Sequence, residues 1–252
     1  TTDLIGTGTT ATLAGSGEVV FNGTSANGRL YANGSANTVV IGAGVTVRSG
    51  TAGGQVGVIG TIDNQGSIRA DGAGRSIAIS GSNGGNNFNS GTIEALNGGT
   101  ISFNNAAQNW NGTGGTLRAT AGSTLNLAGN WNTASLGNFD TAAGSFNYTG
   151  GTLTNSGTYT IDGAALGTFR LTGGTLSGGN YSSVNGGALN LQGGTLNNLT
   201  LDLDATIPNA ASVNFSNTLT LANNRKININ SIGNTTDLIG TGTTATLAGS
   251  GE

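Results

Sequence analysis

Apolar and polar residues alternate in short runs along most of the chain. Val45-Thr46-Val47, Ile77-Ala78-Ile79, Ile101-Ser102-Phe103, Leu125-Asn126-Leu127 and Leu189-Asn190-Leu191 are examples. Leu199 to Asp204, Leu219-Thr220-Leu221 and Ile227-Asn228-Ile229-Asn230 continue the pattern. A period of two sends alternate side chains to opposite faces of an extended chain, so each run predicts a half-buried strand. No window sustains a 3.6 period, and essentially no helix is expected. The predicted strands are three to six residues long. Asn33-Gly34, Gly53-Gly54, Asn97-Gly98 and Asn185-Gly186 separate them and are expected to turn corners through positive φ.

A longer period overlies the alternation. Gly-Thr-Ile or Gly-Thr-Leu begins at Gly60, Gly91, Gly115, Gly151, Gly174 and Gly194, and successive starts are spaced by 31, 24, 36, 23 and 20. The shorter intervals fit one coil of three short strands. The longer ones fit a coil carrying a loop, or one and a half coils. With rungs ~4.8 Å apart and roughly 20–23 residues per coil, a 234-residue stretch makes about ten to twelve coils and advances roughly 50 Å.

The third period is strict. Residues 1–18 read TTDLIGTGTTATLAGSGE, and residues 235–252 repeat them without a change. Stacked repeats leave their terminal faces uncovered and so recur in arrays. We therefore expect residues 1–234 to form one solenoid repeat unit and 235–252 to begin the next. An engineered duplication would leave the same mark. The first residue, Thr1, is expected to be an interior or processed position.

Composition supports a solenoid over other all-β folds. Gly accounts for 48 of 252 residues and Asn for 33, against an aromatic content of 5%. Sandwiches and barrels use longer strands and more aromatic cores, whereas Asn in stacked corners can form amide ladders. No Pro-rich or charged linker separates beads on a string; the single proline is Pro208. Charged residues are 8% and the net charge is −3, of which Asp237 and Glu252 fall in the second copy. A nearly neutral unit can be repeated without accumulating self-repulsion. Only Arg225-Lys226 are adjacent cations, so no nucleic-acid partner is expected. No apolar stretch reaches the length of a membrane helix.

The segment GTIDNQGSIRADGAGRSIAISGSNGG (Gly60–Gly85), with NSGTIEALNGGTISFNN (Asn89–Asn105), resembles the shafts of bacterial autotransporter passengers and filamentous-haemagglutinin-type adhesins. The runs GGTLTNSGTYTIDG and GGTLNNLTLDLD are similar in style. The resemblance covers most of the chain as a texture. It implies a secreted, right-handed parallel β-helix serving as a stalk or adhesin. The long identical restart departs from a single passenger and points to a fibre.

Chemistry is sparse. His and Cys are absent, which removes Ser-His-Asp triads, Cys-His pairs and the usual zinc sites. Asp202 and Asp204 share one predicted strand and face outward roughly 7 Å apart, within the range of paired-carboxylate glycoside hydrolysis. The alternative role is to discourage sideways sheet pairing. Asp63 with Asp71, interleaved with Arg69 and Arg75, is a weaker pair. Asp71-Gly72-Ala73-Gly74 is a lone fragment of a calcium-repeat texture. Asn109-Trp110-Asn111 and Asn130-Trp131-Asn132 share a local pattern, are separated by close to one coil, and are expected on successive rungs. Their indoles either fill core or form a glycan-contact patch. The triplets Thr152–Thr154, Thr158–Thr160 and Thr218–Thr220 are too sparse for a flat ice-binding face. We assign no catalytic, cofactor-binding or metal-ligating residue and expect no enzyme activity. The expected role is an extracellular or cell-surface solenoid fibre whose partner is the next repeat. The alternative is an adhesin whose binding loops account for the two longest Gly-Thr-Ile/Leu intervals, with glycans as partners. A polysaccharide-active enzyme using Asp202 is the third possibility.

Overall fold

In a computed structural model of the chain, residues 2–82 and 84–251 are described. Thr1, Asn83 and Glu252 lie outside the described residues, the first and last of them bounding the duplicated segments. The chain divides into two compact units, Thr1–Ser145 and Phe146–Glu252. Both are parallel β-solenoid, and together they carry about ten turns. Among the described residues there is no α-helix, only a single 3₁₀ turn at Thr133–Ser135.

In the first unit the first five turns each contribute one strand to each of three sheets, and the sixth contributes to the first and third. The first sheet stacks Thr2–Gly6, Gly28–Ala32, Gly54–Val56, Ser76–Ile79, Thr100–Phe103 and Thr124–Ala128. The second stacks Thr10–Leu13, Thr38–Ile41, Thr61–Asn64, Asn86–Asn89 and Asn109–Asn111. The third stacks Gly17–Phe21, Val45–Ser49, Ser67–Asp71, Thr92–Leu96, Thr116–Ala119 and Asn138–Asp140. In-register stacking turns the alternation of the sequence into columns. Val47, Ile68, Ile93 and Leu117 form one inward column, and Leu30, Val56, Ile79 and Phe103 another. All eight are buried. Each such side chain contributes about 1.5–3 kcal/mol by leaving water.

In the second unit the first sheet's turns shorten and then lengthen again. Phe146 faces Phe169, Phe169 faces Leu189, and Leu189 faces Ala205, each turn using fewer residues than the one before, whereas the next turn, Ala205 to Ile227, is longer again. The second and third strands of a turn merge here. Thr195–Asp202 has 8 residues, Ser212–Leu221 has 10 and Asp237–Gly249 has 13. These exceed the expected strand length because the corner is reduced to a bulge. Asn198 and Asn217 take it up at φ 49° and 55°, a left-handed conformation that Asn tolerates.

The expected corners divide into two kinds. Asn97-Gly98 and Asn185-Gly186 have positive φ at both residues. In Asn33-Gly34 only the glycine does, and in Gly53-Gly54 neither does. Gly53-Gly54 is needed for space instead. A Cβ on Gly54 would stand 2.2 Å from the buried Phe21 ring, and one on Gly53 would stand 2.1 Å from the Ser76 carbonyl oxygen.

Three of the Gly-Thr-Ile/Leu intervals are direct rungs: Thr92 faces Thr116, Thr152 faces Thr175, and Thr175 faces Thr195. The interval from Gly60 to Gly91 is not a looped coil. Thr61 belongs to the second sheet and Thr92 to the third, so the interval is one full turn plus a corner.

Candidate functional site

Parallel stacking places each outward side chain about 4.8 Å from its column neighbours. On the third sheet of the first unit this collects the charges. Arg48 faces Arg69, Arg69 faces Glu94, Glu94 faces Arg118, and Arg118 faces Asp140. The Glu94 side chain is only 5% exposed. Its Oε1 accepts from Arg69 Nε at 2.6 Å and from Ser67 Oγ at 3.3 Å. Arg118 reaches across to Glu94 Oε2 at 3.7 Å and to Asp140 Oδ2 at 3.0 Å. Glu18 pairs with Arg48 at 2.8 Å, and that guanidinium holds the Glu18 carboxyl below its ordinary range. The stripe is mixed in sign: Arg48 and Arg69 adjoin, but each is paired with a carboxylate, Glu18 or Glu94. It does not present the clustered positive charge that a phosphate backbone requires. No signal in the sequence reveals this ladder, because its partners lie a full turn apart along the chain and meet only once the register is known.

The candidate carboxylates serve the same purpose. Asp202 ends its strand, and its Oδ1 accepts from Asn223 Nδ2 at 3.0 Å and Arg225 Nε at 3.2 Å on the following turn. Those two partners lower the Asp202 pKa. Asp204 Oδ1 accepts the Lys226 backbone N–H at 3.0 Å. The pair thus ties down residues 223–226. A glycosidase acid needs a raised pKa, and Asp202 is shifted the other way. Asp63 accepts from Gln65, and Asp71 accepts from Asn97, so the weaker pair is also occupied in local bonds. The threonine triplets fade along their columns: Thr152–Thr154 faces Thr175–Ser177, which faces Thr195–Asn197.

Trp110 and Trp131 do stack, but inside. Their exposures are 4% and 3%. The indole N–H of Trp110 donates to Gln108 Oε1, and that of Trp131 donates to the Ala128 carbonyl, both at 3.2 Å. A glycan-contact patch built on either indole is therefore overturned; both are core. The exposed aromatic is Phe88, which lies in the outward column of the second sheet between Asp63 and Asn111. It is 47% exposed. A shallow groove around it is lined by Asn86, Asn109, Asn111 and Asp63, with Ser90 and Thr113 beyond. Asn109 Nδ2 donates to Asn86 Oδ1 at 3.2 Å, and Asn130 Nδ2 donates to Asn109 Oδ1 at 3.2 Å, an amide ladder along one side. An apolar ring rimmed by amides and hydroxyls can pack against a sugar ring and bond its hydroxyls.

A different kind of surface lies on the terminal turns. The strands Thr2–Gly6 and Thr10–Leu13 are bonded along one edge only, and so is Asp237–Gly249. Of the nine exposed large apolar side chains among the described residues, six are there: Leu4, Ile5, Ile229, Ile232, Ile239 and Leu247. Open edges and exposed apolar side chains together are the features that pair with further strands.

Fold and surface together define a parallel β-solenoid scaffold. No protein-family profile matches the chain, nor does any curated protein or solved structure.

Proposed function

We propose that this chain is a structural segment of an extracellular fibre, in which 234-residue solenoid units stack end to end. The observation that carries this reading is the pair of terminal turns, each with an open strand edge and exposed apolar side chains. An added rung covers both at once, and repetition of that step makes a filament. The texture shared with secreted adhesin shafts favours a position outside the cell. The role is mechanical and non-catalytic, a view supported by the engagement of Asp202 and Asp204 in turn-to-turn bonds. Electron microscopy of the purified chain tests it: unbranched fibres with an axial repeat near ~50 Å are expected. Monomers at every concentration would overturn it. Antibody labelling of intact cells tests the location.

One observation favours a second, compatible role. Phe88 is the sole aromatic side chain with more than a third of its surface exposed among the described residues. The surrounding amides suit a neutral glycan, making the shaft an adhesin. Glycan-array binding that disappears in Phe88→Ala supports this role, and binding unchanged by that substitution removes it.

A further inference from the structure

The duplicated segment uses opposite edges in its two settings. Near the start, Thr2–Gly6 and Thr10–Leu13 bond to the turn that follows, Gly28–Ala32 and Thr38–Ile41. Near the end, the same residues at 237–249 bond to the turn that precedes, Ser212–Leu221. The facing is nevertheless the same. Leu4 lies over Leu30 and Leu13 over Ile41, all on the inward side. Their duplicates Leu238 and Leu247 lie over the buried Val213 and Leu219. The surplus residues also fall at nearly the same place. Residues 7–9 form a corner in the first setting. Residues 242–244, the duplicates of 8–10, form the register shift in the second, with Gly242 at φ 85°. Asp3 receives Arg29 from the following turn, whereas Asp237 faces Ser212 of the preceding one.

We propose that this segment is a splice turn that can be shared between two copies of the chain. Residues 3–15 of one copy pair on Ser212–Leu221 of another, in place of that copy's own residues 237–249. They keep their bonds to Arg29–Ala32 and Thr38–Ile41 within their own chain. The occupant is a second copy of this chain because the sequence seated on that edge is the sequence the second copy presents. The incoming segment is bonded along both edges and the displaced one gives up its single bonded edge, so the exchange conserves the number of main-chain ladders while joining two copies. Such a junction is head-to-tail and does not close, which yields a filament, and its main-chain bonds are those of strand addition. The inference rests on the fibre reading and names its joint.

The chain has no cysteine, so introduced thiols report the pairing directly. Thr218 faces Thr246, whose duplicate is Thr12. Neighbours in a parallel column are about 4.8 Å apart, inside the range of about 4.4–6.8 Å that a disulfide spans. In the full-length chain, Thr12→Cys with Thr218→Cys should give disulfide-linked dimers and longer ladders on mild oxidation. Thr218→Cys with Thr246→Cys should close within one chain, stay monomeric on a non-reducing gel, and shorten fibres severalfold. A fluorescent peptide of residues 1–18 should bind the full chain saturably, and a scrambled peptide should not. A monomeric Thr12→Cys/Thr218→Cys chain, beside normal closure of Thr218→Cys/Thr246→Cys, overturns the splice. Fibres persisting in that case leave the fibre reading intact with a different joint; their absence removes both.

Discussion

The indole rings of Trp110 and Trp131 lie face to face, with centroids 5.4 Å apart and planes 8° from parallel. They belong to successive turns, joined by the bridge between Asn109 and Asn130. Phe103 meets both edge-on, at 4.9 and 5.9 Å. Aromatic pairs of this kind add about 0.5–1.5 kcal/mol to the burial of their surface. Trp110→Ala should therefore destabilise the first unit by about 3–5 kcal/mol. Urea unfolding followed by the fluorescence of Trp131 measures this. The near-ultraviolet circular dichroism of the stacked pair should vanish in either single alanine variant.

Glu94 is the buried centre of the charge ladder, while its arginine partners are 35% and 45% exposed. Removing the carboxylate leaves cations that can rehydrate. Glu94→Ala should cost about 1–3 kcal/mol. Asp140→Ala, at the exposed end of the ladder, should cost less than about 1 kcal/mol. Denaturant midpoints of the two variants give the comparison. Equal losses would show that the ladder is not centred on Glu94.

Columns of this kind mark the limit of what can be foreseen from the chain alone. Every predicted alternating run overlaps a strand, because inward Val, Ile and Leu give a visible period of two, but the run Leu199–Asp204 outlasts its strand at Asp202, leaving Asp204 beyond it, and Ile227–Asn230 outlasts its strand at Ile229. Asn86-Asn87-Phe88-Asn89 is also a strand, yet it hides that period. Its inward residues, Asn87 and Asn89, are buried amides: Asn87 Oδ1 accepts the Ile62 N–H, and Asn89 Oδ1 accepts from Asn64 Nδ2 at 2.7 Å. Each amide is bonded through at least one of its atoms, while Asn89 Nδ2 and Asn64 Oδ1 are buried with no hydrogen-bond partner among the described residues; amides inside the coil look like loop residues in a sequence. Phe88, outward on the same strand, gives no signal for the same reason. The interval between Gly60 and Gly91 is open to a looped coil because a corner leaves no mark distinguishing one face from the next. The Trp stack is legible because the two Asn-Trp-Asn triplets lie one turn apart, but the choice between core and surface needs the register.

Tyrosines give the second unit a sensitivity to alkali. Tyr148 and Tyr181 are fully buried, and burial raises the pKa of both, and of Tyr159, far above the ordinary 10.0. A folded-state pKa above the unfolded value gives stability that is complete below pH 10 and is lost as pH rises toward the folded value. The second unit should begin to unfold above about pH 10. Absorbance at the phenolate band should rise together with loss of the fold. Trp110 and Trp131, both in the first unit, report whether that unit survives longer. Phenolate formation at the ordinary pKa without unfolding would contradict the burial of these rings.

At the acid end the sign reverses. Arg29 lowers the pKa of Asp3, Arg48 that of Glu18, Asn185 that of Asp162, and Asn223 with Arg225 that of Asp202. Their contributions are present above the ordinary carboxylate range and fade as pH falls through the lowered values. All four are surface groups, so thermal midpoints should decline gradually below about pH 4 rather than collapse. Added salt should flatten the decline.

Gly54, on the first sheet, packs directly against the ring of Phe21, which comes from the third. A methyl group at Gly54 would overlap the Phe21 ring, which is 7% exposed and has little room to withdraw. Gly54 has no positive φ, so any loss on substitution comes from crowding and not from backbone strain. Gly54→Ala should therefore cost about 1–3 kcal/mol, as overpacked cores do. Phe21→Ala should cost about 3–5 kcal/mol alone. In the double variant the new methyl group occupies space that the ring has left, and the losses should fall short of additive by more than ~0.5 kcal/mol. Additive losses would mean that the added methyl group is crowded by something other than the Phe21 ring.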